Sequence, residues 1–452
     1  MKIPKEINNS KFCQLHAHSV YSQRDGAITI RDLVDTTADK YGQKAVAVSD
    51  HGIVSSGYVL YQNALHLRPQ RGAEPIKPII GCELYINDTR QELFDWLPKA
   101  QEVEKEERAK IRNSLAKYYH GLLIAKNRTG YYNLIKIHNE AWQNFYHRPM
   151  TTPELLWENT EGLIYSTACM SGHIPFFIQK QGDMDTALRL IDQYKEAFGE
   201  DFFIELMPIR SELQKGLNEI LIDISRKKKV PLIVTNDSHY LEAEDHGLHT
   251  ALLNLDRLKK TLKSGKSPDA LWEFDVDDLW LKDAEAMYRS WYEYHRSDVF
   301  TEAVFIEAME NVARVIDSIG SYDLEAQPKV PKIFDDEWQA IKDFVADGLQ
   351  RKVKKGVIPA RGHTLEEYIE RIKMELEVFK LTRTLDYMLC CYDFVKWAKD
   401  NDVEVGAGRG SVGSCLIAYL LGITEIDPIR WGLFLERFIN KSRIAKLDFS
   451  LG

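Results

Sequence analysis

Seven short runs of β-type residues alternate with amphipathic helical stretches over the first half of this chain, and no other feature of the sequence restricts its fold as strongly. The runs are residues 11–18, 44–50, 78–85, 119–126, 163–168, 202–206 and 231–236. Between them apolar residues recur three, four and seven apart, as in Ile30, Leu33, Val34 and Tyr41, or in Leu213, Leu217, Ile220, Leu221 and Ile224. That spacing buries one face of a helix. Alternation repeated so often predicts an α/β fold whose parallel sheet closes into a barrel. Periodicity leaves an open doubly wound sheet as the alternative.

At 452 residues the chain exceeds what one ordinary core organises, so two domains are expected. A boundary falls near residue 270, where Gly265 and Pro268 stand among charged residues. Residues 1–270 are the barrel and residues 271–452 a mostly helical domain, with helices over 284–294, 303–318, 335–353 and 365–381. Thr364 and Glu367 form a capping box for the last of these. No apolar run is long enough to span a bilayer, and the first residues lack the apolar core of a signal peptide, so no membrane is expected. Six cysteines without pairing or ribbon spacing fit a reducing cytoplasm. A net charge of −9 argues against a protein that coats nucleic acid electrostatically, although carboxylates that hold metals can mask a locally basic channel. Basic clusters at 226–229, 257–266 and 351–355 read as solvated helix ends or loops.

The residue types that ligate metals collect at one place on this map. His16 and His18 are two apart, so in a strand they share a face. Asp25 follows in the next loop, His51 comes after the second run, Glu83 ends the third, and His120 lies at the fourth. Cys169 follows the fifth, and Asp237 and His239 follow the last. The loops at the carboxyl ends of barrel strands form one face, where these nine residues can converge. Mixed imidazole and carboxylate ligands suit zinc, manganese or iron, and nine exceed what one tetrahedral ion requires. Two or three clustered ions are the usual apparatus for cleaving a phosphate ester. His66, His138, His147, His173, His246 and His249 lie off the pattern and read as structural.

The succession HAH, YSQRDG, SDHG, GCELY, HGLLIAKN, STACMSG and TNDSHYL resembles the PHP (polymerase and histidinol phosphatase) domain, and more narrowly the one heading the alpha subunits of bacterial DNA polymerase III. The resemblance implies a distorted (β/α)7 barrel. All nine ligand positions of that family are filled here by the same residue types, which implies Zn2+ or Mn2+ as cofactors and a 3′–5′ exonuclease or related phosphoesterase activity.

The C-terminal part is similar to the start of the family C polymerase palm, through FDVDDLWLKDAEAM, EAMENVARVID and YDFVKWAKDNDVEVGAGRGSVGSCLIAYLLGITEIDPIRWGLFLERFIN. Within it, Gly406, Gly408 and Gly410 let backbone amides face an anion, Arg409 supplies a planar cation, and a helix starting near Val412 would add its positive end. By resemblance, Gly408, Arg409, Gly410 and Ser411 cradle the triphosphate of an incoming nucleotide. The departure follows ERFINKSR. Asp448 matches a non-catalytic acid of the family, while Ser450 and Gly452 stand where two catalytic aspartates belong. The polymerase carboxylates are therefore expected to be absent, and Mg2+ is expected only in a palm completed by another chain. A truncated gene, a split polymerase and a decayed copy all remain open. The expected partners are DNA, deoxynucleoside triphosphates and a second polypeptide carrying the rest of the polymerase. A self-standing phosphoesterase and a non-catalytic scaffold half are the rival readings.

Overall fold

The computed structural model describes residues 2–255, 259, 276–324 and 330–440. The chain forms two compact units, Met1–Glu325 and Ala326–Gly452. The boundary expected near residue 270 lies outside the described residues, as does nearly all of the basic stretch 257–266. The helices that follow, Ala284–Ser290 and Glu302–Ser318, belong to the first unit, since Met287, Phe305 and Val312 share one apolar core with the strands.

The first unit is built on β1 (Ala45–Val48), β2 (Lys77–Ile86), β3 (Tyr119–Ala125), β4 (Phe145–Tyr146), β5 (Arg148–Thr151), β6 (Leu163–Ser166), β7 (Phe202–Leu206) and β8 (Leu232–Val234). They curl in the order β1–β2–β3–β6–β7–β8, with the β4–β5 hairpin attached to the far end of β2. Nearly every strand residue is buried, as expected for a sheet covered on both faces. The outer cover includes Leu190, Ile191 and Tyr194 of the Met184–Phe198 helix and Leu217, Leu221 and Ile224 of the Glu212–Lys228 helix.

Two details differ from the sequence reading. The run at 11–18 is not a regular strand: the backbone NH of Ala17 is bonded to the Ser49 hydroxyl, where a ladder partner would stand. The segment nevertheless closes the barrel. Ser49 N donates to Ala17 O at 2.9 Å, His18 N to Ser238 O at 2.7 Å, and Ser238 N to His16 O at 3.1 Å, joining the ends of β1 and β8. The sheet is also not all parallel, because β3 runs antiparallel to both β2 and β6. The chain leaves β2 and enters β3 at the same rim, with Ile86 opposite Tyr119. The Lys105–Leu115 helix in between buries no residue, so no amphipathic face carries the chain across to the other rim.

The second unit is helical among the described residues. Helices Glu337–Lys354, Leu365–Leu381, Leu385–Asp400 and Leu416–Leu420 surround a core that includes Ile341, Val345, Phe379, Leu389 and Ile417. The Thr364–Glu367 capping box is present in full. Glu375 is wholly buried in this core. It accepts from Leu416 N at 2.9 Å, Ile417 N at 2.8 Å, the Cys415 thiol at 3.2 Å and Arg371 Nε at 2.7 Å. Truncating one partner of a buried, hydrogen-bonded charge pair typically costs about 3–5 kcal/mol. Glu375→Ala should lower the stability of this unit by that order in urea denaturation, and Glu375→Gln by clearly less.

Candidate metal centre

Each of the nine predicted ligands reaches the same mouth. Glu83 is fully buried at its centre, its oxygens 3.3 Å from His16 Nε2, 3.5 Å from His18 Nε2, 2.6 Å from His51 Nδ1 and 2.9 Å from His120 Nδ1. Asp237 Oδ1 lies 3.3 Å from His16 Nε2 and 3.1 Å from His18 Nε2. Asp25 meets His51 Nε2 at 3.2 Å and His239 Nε2 at 3.5 Å. Cys169 Sγ stands 3.6 Å from His120 Nδ1 and 3.8 Å from Glu83 Oε1. The convergence depends on the reversal of β3: His120 is at the amino end of that strand, and only an antiparallel strand presents its start at the rim where its neighbours present their carboxyl ends. Asp237 adopts φ 49° and Ala168, just before Cys169, φ 57°. Left-handed backbone at residues other than glycine is costly and is typical of functional sites.

The surroundings fix which nitrogen of each ring faces inward. His16 donates Nδ1–H to Glu205 at 3.1 Å, leaving its Nε2 lone pair aimed at the centre. Glu205 is itself held by Ser166 at 2.9 Å and Thr235 at 2.8 Å. The Ser22 hydroxyl donates to Asp50 at 2.7 Å and so must accept from His18 Nδ1, at 3.1 Å. His239 Nδ1 faces the Asp237 carbonyl at 2.8 Å, which again leaves Nε2 inward. Three imidazoles oriented in this way are ligands prepared for a cation.

The donor set passes a further test of fit. His16 Nε2, His51 Nδ1 and Glu83 Oε2 are buried with no hydrogen-bond partner, although the last two are 2.6 Å apart. A buried ring nitrogen left without a hydrogen-bond partner, as at His16 Nε2, suits a site that a cation would complete. Sets of three ligand atoms lie within 4.8 Å of one another in His18–His51–His239, His16–His18–Glu83, His51–Glu83–His120 and Asp25–His239–His249. Burial disfavours charge on His16, yet Asp237, Glu205 and Glu83 hold its pKa well above the ordinary histidine range. Burial, then the charges of His51 and His239, pushes His18 down to about 3. The acids thus favour positive charge at His16, while at His18 burial and the neighbouring rings favour the neutral imidazole with a free lone pair.

Sequence reasoning missed two participants. His249, read as structural, brings Nε2 to 2.9 Å from Asp25 Oδ1 from the His246–Leu253 helix, where no strand pattern pointed to it. Glu205 lies inside β7 and looks in sequence like an ordinary strand residue.

The Gly408–Ser411 loop belongs to the second unit, and its four residues are all exposed. Gly408 (φ 129°) needs to be glycine, since a Cβ would stand 2.5 Å from Thr424 Oγ1. The loop is anchored through Ala407 O, which accepts from Thr424 Oγ1 at 2.9 Å and Glu425 N at 2.8 Å. The helix expected from Val412 is not there. Gly410–Ser414 forms one tight turn, Cys415 is extended, and the helix begins at Leu416. Its first amide groups point at Glu375, so its positive end serves a buried carboxylate and not a ligand at the loop. Asp448, Ser450 and Gly452 lie outside the described residues.

Comparison with known proteins agrees with this division. Residues 14–208 match the PHP domain, and residues 339–451 match the bacterial DNA polymerase III alpha NTPase domain. The first unit is thus a PHP-domain barrel. The DNA polymerase III subunit alpha of Aquifex aeolicus (strain VF5) is 35% identical over 446 residues, covering 97% of this chain and 36% of that protein. The corresponding protein of Treponema pallidum (strain Nichols) is 33% identical, covering 97% of this chain and 34% of that protein. That of Borreliella burgdorferi is 31% identical, covering 98% and 35%. Over nearly its whole length the chain is similar to DNA polymerase III alpha subunits, and it spans about a third of the length of these relatives. Among the described residues no helix is long and apolar enough to cross a membrane.

Exchanging Glu205 for Gln keeps the shape of the side chain but removes the charge that sets the His16 ring. Losing such a supporting contact typically costs about 10- to 100-fold in metal affinity. Competition with a chelating dye should show Glu205→Gln taking up Mn2+ or Zn2+ more weakly by that order, with unchanged circular dichroism.

Proposed function

We propose that the chain is the portion of a replicative DNA polymerase that carries a working metal-dependent phosphoesterase, acting on the 3′ ends of DNA. The observation that carries the reading is the set of inward-facing Nε2 atoms of His16, His18 and His239 around the buried Glu83 and the partly exposed Asp237. Two or three Zn2+ or Mn2+ ions bound there would supply Lewis-acid activation of a phosphodiester. His16, His18, Asp25, His51, Glu83, His120, Cys169, Asp237 and His239 would hold them, with His249 steadying Asp25. At the mouth, the Tyr85 ring stacks beside His51 at 6.0 Å between centroids, and the Arg148 guanidinium lies over Tyr85 at 5.5 Å. That places a permanent cation one ring away from the ligands, suited to hold a scissile phosphate. The buried position of Glu83 and His16 keeps bulk water from the ligand side, so water enters only from the mouth.

The purified chain should release nucleotides from DNA 3′ ends when Mn2+ or Zn2+ is supplied, and the double change His16→Ala, His18→Ala should abolish release. Activity surviving that change would show that it comes from elsewhere and that the assignment is wrong.

For the second unit, the reading is that Gly408, Arg409, Gly410 and Ser411 hold the triphosphate of a nucleotide, without help from the helix that follows. With Ser450 and Gly452 read at the positions of the family's aspartates, the residues of this sequence are assigned triphosphate binding, and nucleotidyl transfer with Mg2+ is assigned to carboxylates outside them. A charge-assisted hydrogen bond contributes about 1.5–3 kcal/mol, which is roughly a ten- to hundredfold change in affinity. Arg409→Ala should weaken deoxynucleoside triphosphate binding by that factor in calorimetric titration and leave the melting temperature unchanged, because the side chain is exposed.

A further inference from the structure

The basic run at 351–355 ends the Glu337–Lys354 helix, and in the folded unit it forms one wall of a cavity of about 490 Å3. The Leu385–Asp400 helix supplies the facing wall, so that Arg351, Lys352, Lys355, Lys396 and Lys399 line one space. Its floor is the Tyr419 ring and the backbone around Leu420. The Glu337–Lys354 helix can come this close because residue 348 is glycine, whose Cβ would meet Leu420 O at 2.2 Å.

The charges in this cavity do not balance. Lys396 pairs with Asp400, Lys399 with Glu425 at 2.6 Å, and Arg351 with Asp347 at 3.1 Å. Among the described residues no carboxylate is within ion-pair distance of Lys352 or Lys355. Lys352 Nζ instead lies 3.6 Å above the Tyr419 ring. Burial, and then the nearby Lys355 and Lys399, hold Lys352 below the ordinary lysine range against the pull of Glu425. Asp427 acts on Lys352 from further off. Lys352 and Lys355 are thus left without a carboxylate partner of their own, in a space that the Tyr419 side chain also lines.

We infer that this cavity binds phosphate groups, those of a nucleic-acid strand or of a free nucleotide, at a place distinct from the Gly408–Ser411 loop. A phosphate group would give Lys352 and Lys355 the anionic partner that no side chain within ion-pair distance supplies. The lysines reach it from two helices, and the half-buried Tyr392 side chain lines the cavity beside it. The inference does not rest on the chemistry proposed for the barrel.

The test uses the full chain with His16→Ala and His18→Ala, so that the probes are not consumed. A fluorescent oligothymidylate is followed by anisotropy and dTTP by calorimetry. Lys352→Gln combined with Lys355→Gln should weaken at least one probe tenfold or more. The exposed Lys354→Gln on the same helix, outside the cavity lining, should have no such effect. If the ligand is a strand, the oligonucleotide weakens and the slope of log K against log salt falls by about 1.4, for two lost contacts at roughly 0.7 each. If it is a nucleotide, dTTP weakens and the oligonucleotide does not, and the loss adds to that of Arg409→Ala. Should the double variant unfold, the exposed Lys355→Glu alone replaces it with the same expectations. Unchanged affinity for both probes would overturn the inference and leave the lysines as compensation for two helix ends. Equal weakening by Lys354→Gln would overturn it too.

Discussion

Glu83 is a carboxylate without contact to water, and nitrogen atoms of four imidazoles lie within 3.5 Å of its oxygens. An ionised carboxylate in such a place is tolerable only if positive charge surrounds it closely. Much of the first unit can be understood as the means of meeting that demand. β2 extends to ten residues, so that its first part pairs with β1 and its last part with β3 and β5, and Glu83 falls where these partners meet. The reversed β3 delivers His120 to Oε1, and the closing segment delivers His16 to the same oxygen and His18 to Oε2. Behind them, Glu205 and the Ser22–Asp50 pair hold the rings that hold Glu83.

The second unit contains its own buried carboxylate, Glu375, and treats it differently. Here the compensating donors are one arginine, a thiol and the two amides that open a five-residue helix, all of them internal. Every strong donor that Glu375 meets comes from its own unit, so the arrangement is complete without a ligand. The contrast separates two uses of one residue type. At Glu83 the neighbouring lone pairs leave room for cations from outside, whereas at Glu375 the neighbouring hydrogens leave none.

Much of this was legible in advance, and the failures have physical causes. The nine candidate ligands stood out because a barrel places strand ends on one rim, and the alternation of runs showed where those ends were. The direction of β3 was not legible, since a strand buried on both faces has the same composition whichever way it runs. His249 was missed because it comes from a helix that follows the last strand and reaches back to Asp25. Glu205 was missed because a buried acid within FFIEL declares its partners only once β6 and β8 lie beside β7. The false start of a helix at Val412 has a plainer origin: the periodic residues do begin there, but Cys415 takes an extended conformation so that the next amides can meet Glu375.

The seam at Ala17 also has a meaning in time. The backbone bonds that close the barrel join residues 16–18 to Ser238. During synthesis the first two histidines emerge at once and the strands that complete the rim come last. At a typical 5–20 residues per second, roughly 10–50 s pass before residue 238 has been added. Throughout that interval the amino-terminal segment can join only the end of β1, through Ser49, and the site is incomplete, even though seven of its nine candidate ligands precede the last strand. The segment therefore waits on one side of its seam for residues made more than two hundred positions later, and the ribosome, more than the sheet itself, decides when this mouth can first be complete.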